Sequence, residues 1–143
     1  MFRKQKTLAK NEREVFVTYF FRNPERIIEI EDPDFLIAPA DGRVVVIEPV
    51  HEDEFFHEDR LQVSIFMYPL NVHANWNPIE GNILVSEHQK GRHKGAWLPK
   101  SSTENERSLV VIETPNKQQI AVRQVAGAMA RRIVTYAKAG KHA

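Results

Sequence analysis

From Phe35 onward the chain is a series of short runs rich in Val and Ile, each cut off by proline, glycine or an acidic cluster. Runs of that kind read as strands. The candidates are Leu36-Ile37-Ala38, Gly42–Val50, Leu61–Tyr68, Asn82–Glu87, Ser108–Glu113, Gln119–Val125 and Arg132–Ala137. Thr114-Pro115-Asn116-Lys117 has turn chemistry between two of them, which makes Ser108–Val125 a hairpin. Short strands at close spacing favour a sandwich or barrel-like set of antiparallel strands over alternating βαβ units. The expected class is mainly β, with a minor α component.

That component is N-terminal. In residues 8–21, LAKNEREVFVTYFF, Leu8, Val15, Phe16, Tyr19 and Phe20 fall near one side at spacings of three and four, and Glu12 and Arg13 face away. Asn23-Pro24 ends the helix, because the residue before proline avoids helical backbone angles. With Phe2, Arg3, Lys4 and Lys6 ahead of it, the helix either lies on an anionic membrane surface or packs on the domain like any amphipathic helix. The chain thus divides into a helical arm over 1–24 and a β domain over 25–143. Residues 88–106 are polar, with two glycines and a proline, and read as a long loop. Loops of that length in a compact domain usually carry function or move.

Several classes of function are excluded. There is no cysteine, hence no disulfide, thiolate zinc site or cysteine nucleophile. Apolar stretches such as Phe35–Ala40 and Val44–Ile47 are too short to cross a bilayer, and Met1–Lys10 lacks the apolar core of a signal peptide. That leaves a cytoplasmic or peripheral protein. A net charge of +1 argues against a general nucleic-acid binder. Charge is nevertheless uneven: residues 25–59 are acid-rich, whereas Lys117, Arg123, Arg131, Arg132, Lys138 and Lys141 follow Glu113 with no acidic residue among them. The basic end either meets phosphate or pairs with the acidic half of its own fold. His51, His57, His88 and His93 show no carboxylate spacing that suggests a ligand set, so no metal site is assigned.

Pro39-Ala40-Asp41-Gly42 is a turn entering a strand. Taken alone, Asp41 is a turn carboxylate capping backbone N–H groups, followed by a glycine free to adopt positive φ. Its downstream context says more. FFRNP at 20–24, PADGRVVVIEPV at 39–50, RLQVSIFMYPLNVHANWNPIEG at 60–81, AWLPKSSTENERS at 96–108 and RQVAGAMARRIVTYA at 123–137 come in one order. Together they resemble the phosphatidylserine decarboxylase family, in its short bacterial and archaeal-type branch, over about Phe20–Ala139.

The resemblance implies a chemistry. Family precursors cut themselves at a Gly-Ser bond, and the serine becomes a pyruvoyl group that condenses with the amine of phosphatidylserine and serves as the electron sink while carbon dioxide leaves. The product is phosphatidylethanolamine. Asp41 matches the aspartate that orients a base for self-cleavage. His73, in NVHANW, matches the histidine that assists proton transfer at decarboxylation, a task suited to imidazole. The position of a second family histidine, the cleavage base, is Trp76 here, with Asn75 beside it. Asn75, Asn105, Arg107, Arg131 and Arg132 are the substrate-binding candidates. Arg131 and Arg132 either clamp phosphate or carboxylate in fork geometry or pair with Glu106 or Asp41 as scaffold. Trp97 and Lys100 suit a lipid interface, and packing explains Trp97 equally well.

The ends depart from the family. No Gly-Ser dipeptide occurs and the last serine is Ser108, so this polypeptide alone is expected to form no pyruvoyl group. The β domain is expected to be incomplete at its C-terminus, as a fragment, as one chain of a split enzyme completed by a pyruvoyl-bearing partner, or as an inactive remnant. The implied setting is peripheral, on the cytoplasmic side of the inner membrane, with a phospholipid substrate, no nucleic acid and a possible homo-oligomer. The rival from another class is a noncatalytic β domain that binds anionic phospholipid through its basic half.

Overall fold

The computed structural model describes residues 12–27, 35–95 and 104–143. Residues 12–20 form helix α1. Five strands follow: β1 (Arg43–Glu52), β2 (Glu58–Phe66), β3 (Asn82–Gln89), β4 (Arg107–Glu113) and β5 (Gln119–Val125). Among the described residues these strands pair antiparallel, β1 with β2 in one sheet and β3-β4-β5 in another. The mainly β reading with an N-terminal helix therefore stands. Leu8, Trp97 and Lys100 lie outside the described residues.

The chain forms two compact units. The first joins α1 and residues 21–27 to 40–76, and so contains the β1–β2 hairpin. Its turn is held by Glu52, whose Oε2 accepts the Phe55 and Phe56 N–H groups, both at 2.8 Å, while Oε1 accepts that of Glu54 at 3.1 Å. Ile47 lies opposite Val63 and Pro49 opposite Leu61. Directly opposed residues share a face, and Ile47, Val63 and Leu61 are exposed on it. Gly42 does not use positive φ, which among the described residues belongs to His57, Lys117 and Gly140. It is small for a different reason: a Cβ there would sit 2.5 Å from the Phe66 carbonyl oxygen.

The second unit is built on β4. Ser108, Leu109, Val110, Val111 and Ile112 are all buried, as a strand covered on both faces requires. Ile83, Val110 and Ile112 form its core, with Ile79, Ala137 and Ala143 against them. Thr114–Gln118 closes the β4–β5 hairpin. The Lys117 N–H donates to Thr114 O at 3.0 Å, and the Thr114 N–H donates to Gln118 O at 2.9 Å.

Two expected strands are absent. Around Leu36-Ile37-Ala38 the Ile37 N–H donates to Pro78 O at 2.9 Å without a ladder among the described residues, and Pro39 has no N–H to extend one. Arg132–Ala137 alternates half-buried and exposed side chains as a strand would, yet its backbone bonds go to side chains. The Ile133 N–H donates to Glu106 Oε1 at 3.1 Å, and Ala137 O accepts the Ser86 hydroxyl at 2.9 Å. The free edge of β3 is taken instead by the residues that follow: Gly140 N–H to Ile83 O (2.8 Å), Ile83 N–H to Lys141 O (2.9 Å) and Ala143 N–H to Gly81 O (2.7 Å). The expected loop over 88–106 is shortened at one end, because β3 continues to Gln89.

Candidate functional site

His73, Asp41 and Asn75 belong to the first unit. Tyr68-Pro69-Leu70-Asn71 is a turn in which the Asn71 N–H donates to Tyr68 O at 2.9 Å and Asn71 Oδ1 accepts the Tyr68 N–H at 2.7 Å. The turn, with buried Val72 behind it, presents the Asn71 carbonyl to His73 Nδ1 at 3.0 Å. A carbonyl only accepts, so Nδ1 carries the proton and Nε2 presents a lone pair. Phe20, the last residue of α1 and 3% exposed, stacks on the ring with centroids 3.8 Å apart and planes at 21°. Burial lowers the His73 pKa, the bond to Asn71 pulls it partly back, and the Arg22 charge lowers it further. His73 is therefore a neutral acceptor near neutral pH.

Arg22 is fixed in place: Nη1 donates to Tyr19 O at 2.8 Å, Nη2 to Leu70 O at 3.1 Å, and the guanidinium lies 3.8 Å over the Tyr19 ring. Asp41 does not stand alone either. Its Oδ2 accepts Arg26 Nη2 at 2.7 Å, and the Arg26 guanidinium lies 5.3 Å from the Trp76 ring centroid, within cation–π range. Asn75 is exposed. Arg22, Arg26 and Asn71 were not singled out from sequence, and Phe20 only as part of the apolar side of the helix. FFRNP was visible as a block, but partners this distant in sequence are set by folding.

Asn105, Arg107, Arg131 and Arg132 lie in the second unit. Asn105 is fully buried; its Nδ2 donates to Lys94 O at 2.7 Å and Ala126 O at 2.8 Å, and its Oδ1 accepts the Lys94 N–H at 3.0 Å. This amide ties three chain segments together. Arg107 opens β4, opposite Gln89 and Val125. Arg131 is exposed and its Nε donates to Ala128 O at 3.1 Å; Arg132 is exposed. The scaffold partners considered for this pair are otherwise engaged: Asp41 by Arg26, and Glu106 by His88 Nε2 at 3.2 Å. Among the described residues, no three His, Asp or Glu side chains converge in a way that would hold a metal ion.

The phosphatidylserine decarboxylase family model matches residues 13–143. The chain belongs to the phosphatidylserine decarboxylase family. It is 57% identical over 122 residues to a phosphatidylserine decarboxylase proenzyme of Phocaeicola vulgatus, an alignment covering 85% of this chain and 54% of that protein. The proenzyme of Parabacteroides distasonis is 55% identical over 127 residues, 89% of this chain and 58% of its own. That of Amoebophilus asiaticus is 44% identical over 126 residues, 88% and 56% respectively. The chain thus spans about half the length of the curated relatives it matches. The matched span of the family model includes every candidate site residue, from Asp41 to Arg132.

Proposed function

We propose that this chain is the part of a phosphatidylserine decarboxylase that carries its proton-transferring histidine, in an enzyme converting phosphatidylserine to phosphatidylethanolamine and carbon dioxide. The observation that carries the reading is His73: it stands in NVHANW, in a chain of this family, as a neutral imidazole with its Nε2 lone pair presented.

The chemistry follows from that state. A neutral Nε2 cannot give a proton before it has taken one. The substrate amine arrives as an ammonium and becomes a nucleophile on losing a proton, which Nε2 is suited to accept. The imidazolium then returns that proton to the substrate carbon after carbon dioxide leaves. One further proton enters from solvent per turnover, because a carboxylate departs as a neutral gas. The pyruvoyl group implied by the family would supply the electron sink for this cleavage. Its precursor serine must come from polypeptide outside this sequence, which has no Gly-Ser. Each unit offers groups suited to this chemistry on its own: the first an acceptor at His73, the second exposed guanidinium groups at Arg131 and Arg132 of the kind that bind carboxylate or phosphate. Asp41, aligned by Arg26, is proposed to act in self-cleavage, and Asn75 and Arg107 to contact substrate. Asn105 would act by holding the backbone around it.

The proposed setting is peripheral, on the cytoplasmic face of the inner membrane. Among the described residues no helix is long and apolar enough to cross a membrane. Exposed Val15, Phe16, Tyr19 and Phe21 at α1, and the basic groups after Glu113, support contact with an anionic lipid surface. The pyruvoyl-bearing polypeptide and further copies of the chain are the proposed protein partners.

The test joins this chain to the portion of the Phocaeicola vulgatus proenzyme that it does not cover. The chimera is expected to cleave itself and to form phosphatidylethanolamine from phosphatidylserine. The 143-residue chain alone should form none and should give no borohydride-trapped adduct. A chimera that cleaves but makes no product, beside an active relative, would overturn the reading.

A further inference from the structure

We propose that Phe20 and Arg22, at the C-terminal end of helix α1, are positioning residues for His73 that fix its ring plane and hold it on the Asn71 carbonyl that selects its tautomer. The proposal rests on the acid–base use of His73 for its functional meaning, but its geometry stands independently.

Three constraints meet at this ring. The Asn71 carbonyl receives Nδ1–H at 3.0 Å and selects the tautomer. Phe20 covers one face at 3.8 Å with nearly parallel planes, so it sets the direction in which Nε2 points. Phe20 is also the one described residue of α1 that is buried; Val15, Phe16, Val17 and Tyr19 are exposed. Burying the last residue alone does little to hold a helix on a domain, whereas it does shield one histidine from water. Arg22 completes the arrangement. It is pinned by Tyr19 O on the helix and Leu70 O on the turn that carries Asn71, and so ties the helix end to the segment that aims His73. Its fixed charge opposes protonation of the ring, in the same direction as burial and against the Asn71 bond. Among the described residues, the helix end meets the His73 ring through Phe20 and the 68–72 turn meets it through Asn71, and the Arg22 charge acts on it from there. An arm with an exposed apolar face is thereby coupled to the proton-transferring group, and a shift of the helix end would move Nε2.

Side-chain nitrogen resonances of His73 in the 143-residue chain test this without any activity. In the unmodified chain the ring should be protonated at Nδ1 and should titrate below an exposed histidine, whose ordinary value is 6.5. Phe20→Tyr keeps a ring and should leave tautomer and midpoint unchanged. Phe20→Leu keeps apolar bulk but not the stack, and should mix the tautomers. Arg22→Gln should raise the midpoint, and Arg22→Lys should restore much of the difference. The Arg22 pair, at a half-buried position outside the core, decides the matter if a Phe20 variant does not fold. Nε2–H as the resting tautomer, or a midpoint identical in the unmodified chain, Phe20→Leu and Arg22→Gln, would overturn the proposal. Either result leaves the decarboxylase chimera free to succeed or fail on its own terms.

Discussion

Replacing Asn105 by alanine distinguishes a side chain that holds the fold from one that waits for substrate. The amide makes three hydrogen bonds from a fully buried position. Each contributes roughly 1 kcal/mol net, and a buried carbonyl left without a donor costs roughly 1–3 kcal/mol. Lys94 is half-buried and its backbone can turn to water, but Ala126 is 1% exposed and its carbonyl cannot. The loss is then about 3 kcal/mol, at the upper end of ordinary point substitutions. With a urea dependence of roughly 2 kcal/mol per molar, the unfolding midpoint should fall by about 1.5 M. Asn105→Asp sharpens the test. At neutral pH it points carboxylate lone pairs at the two carbonyls that now receive N–H groups, so it should destabilise at least as much as alanine. Acidification returns one donor and should recover part of the loss. Circular dichroism during urea titration measures both variants. A midpoint within about 0.3 M of the original for Asn105→Ala would refute the clamp and leave the amide available for a ligand.

At the β1–β2 hairpin, His51 Nδ1 lies 2.9 Å from Asp59 Oδ1, and the Asp59 bond raises the His51 pKa; desolvation opposes it, and the Asp53, Asp59 and Glu52 charges add to the rise. Its contribution to stability is complete below 6.5 and is lost as pH rises through the raised folded value; Asp59→Asn should lower the midpoint of the His51 ring signal, and an unchanged midpoint would contradict the pairing. Membrane contact should be weak and salt-sensitive, since a basic group near an anionic surface contributes up to about 1 kcal/mol and salt screens it. The chain should cosediment with anionic vesicles at low ionic strength and be released at high ionic strength; equal binding to neutral vesicles would assign the contact to the apolar face of α1 instead.

The strands that sequence located best are those whose signal is local. Thr114-Pro115-Asn116-Lys117 carries its own turn chemistry, and the hairpin around it forms as expected. Gln119–Val125 needs no distant partner to be recognised as a strand. Arg132–Ala137 shows the opposite case. Its alternation is real, but a strand also needs a free edge, and residues 140–143 occupy the one at β3. Asp41 and His73 were legible through the motifs around them. Their partners were not: the Arg26 guanidinium and the Phe20 ring reach them only after the N-terminal segment has folded against residues 40–76. The charge asymmetry was partly misleading for the same reason. Asp41 pairs with Arg26, Glu58 with Arg60 and Asp59 with His51, so acidic groups of this stretch find partners close by, not in the basic C-terminal half.

Whether this chain supplies the proton-transferring histidine of a decarboxylase is decided by His73→Ala in the chimera with the Phocaeicola vulgatus segment. Chain cleavage is followed by gel electrophoresis and phosphatidylethanolamine by lipid chromatography, in the same samples. Cleavage should be normal and product formation reduced about 10²–10⁴-fold, the usual loss on removing one general acid–base group. Uncleaved precursor would place His73 in processing instead, and full decarboxylation by the cleaved variant would contradict the assignment outright.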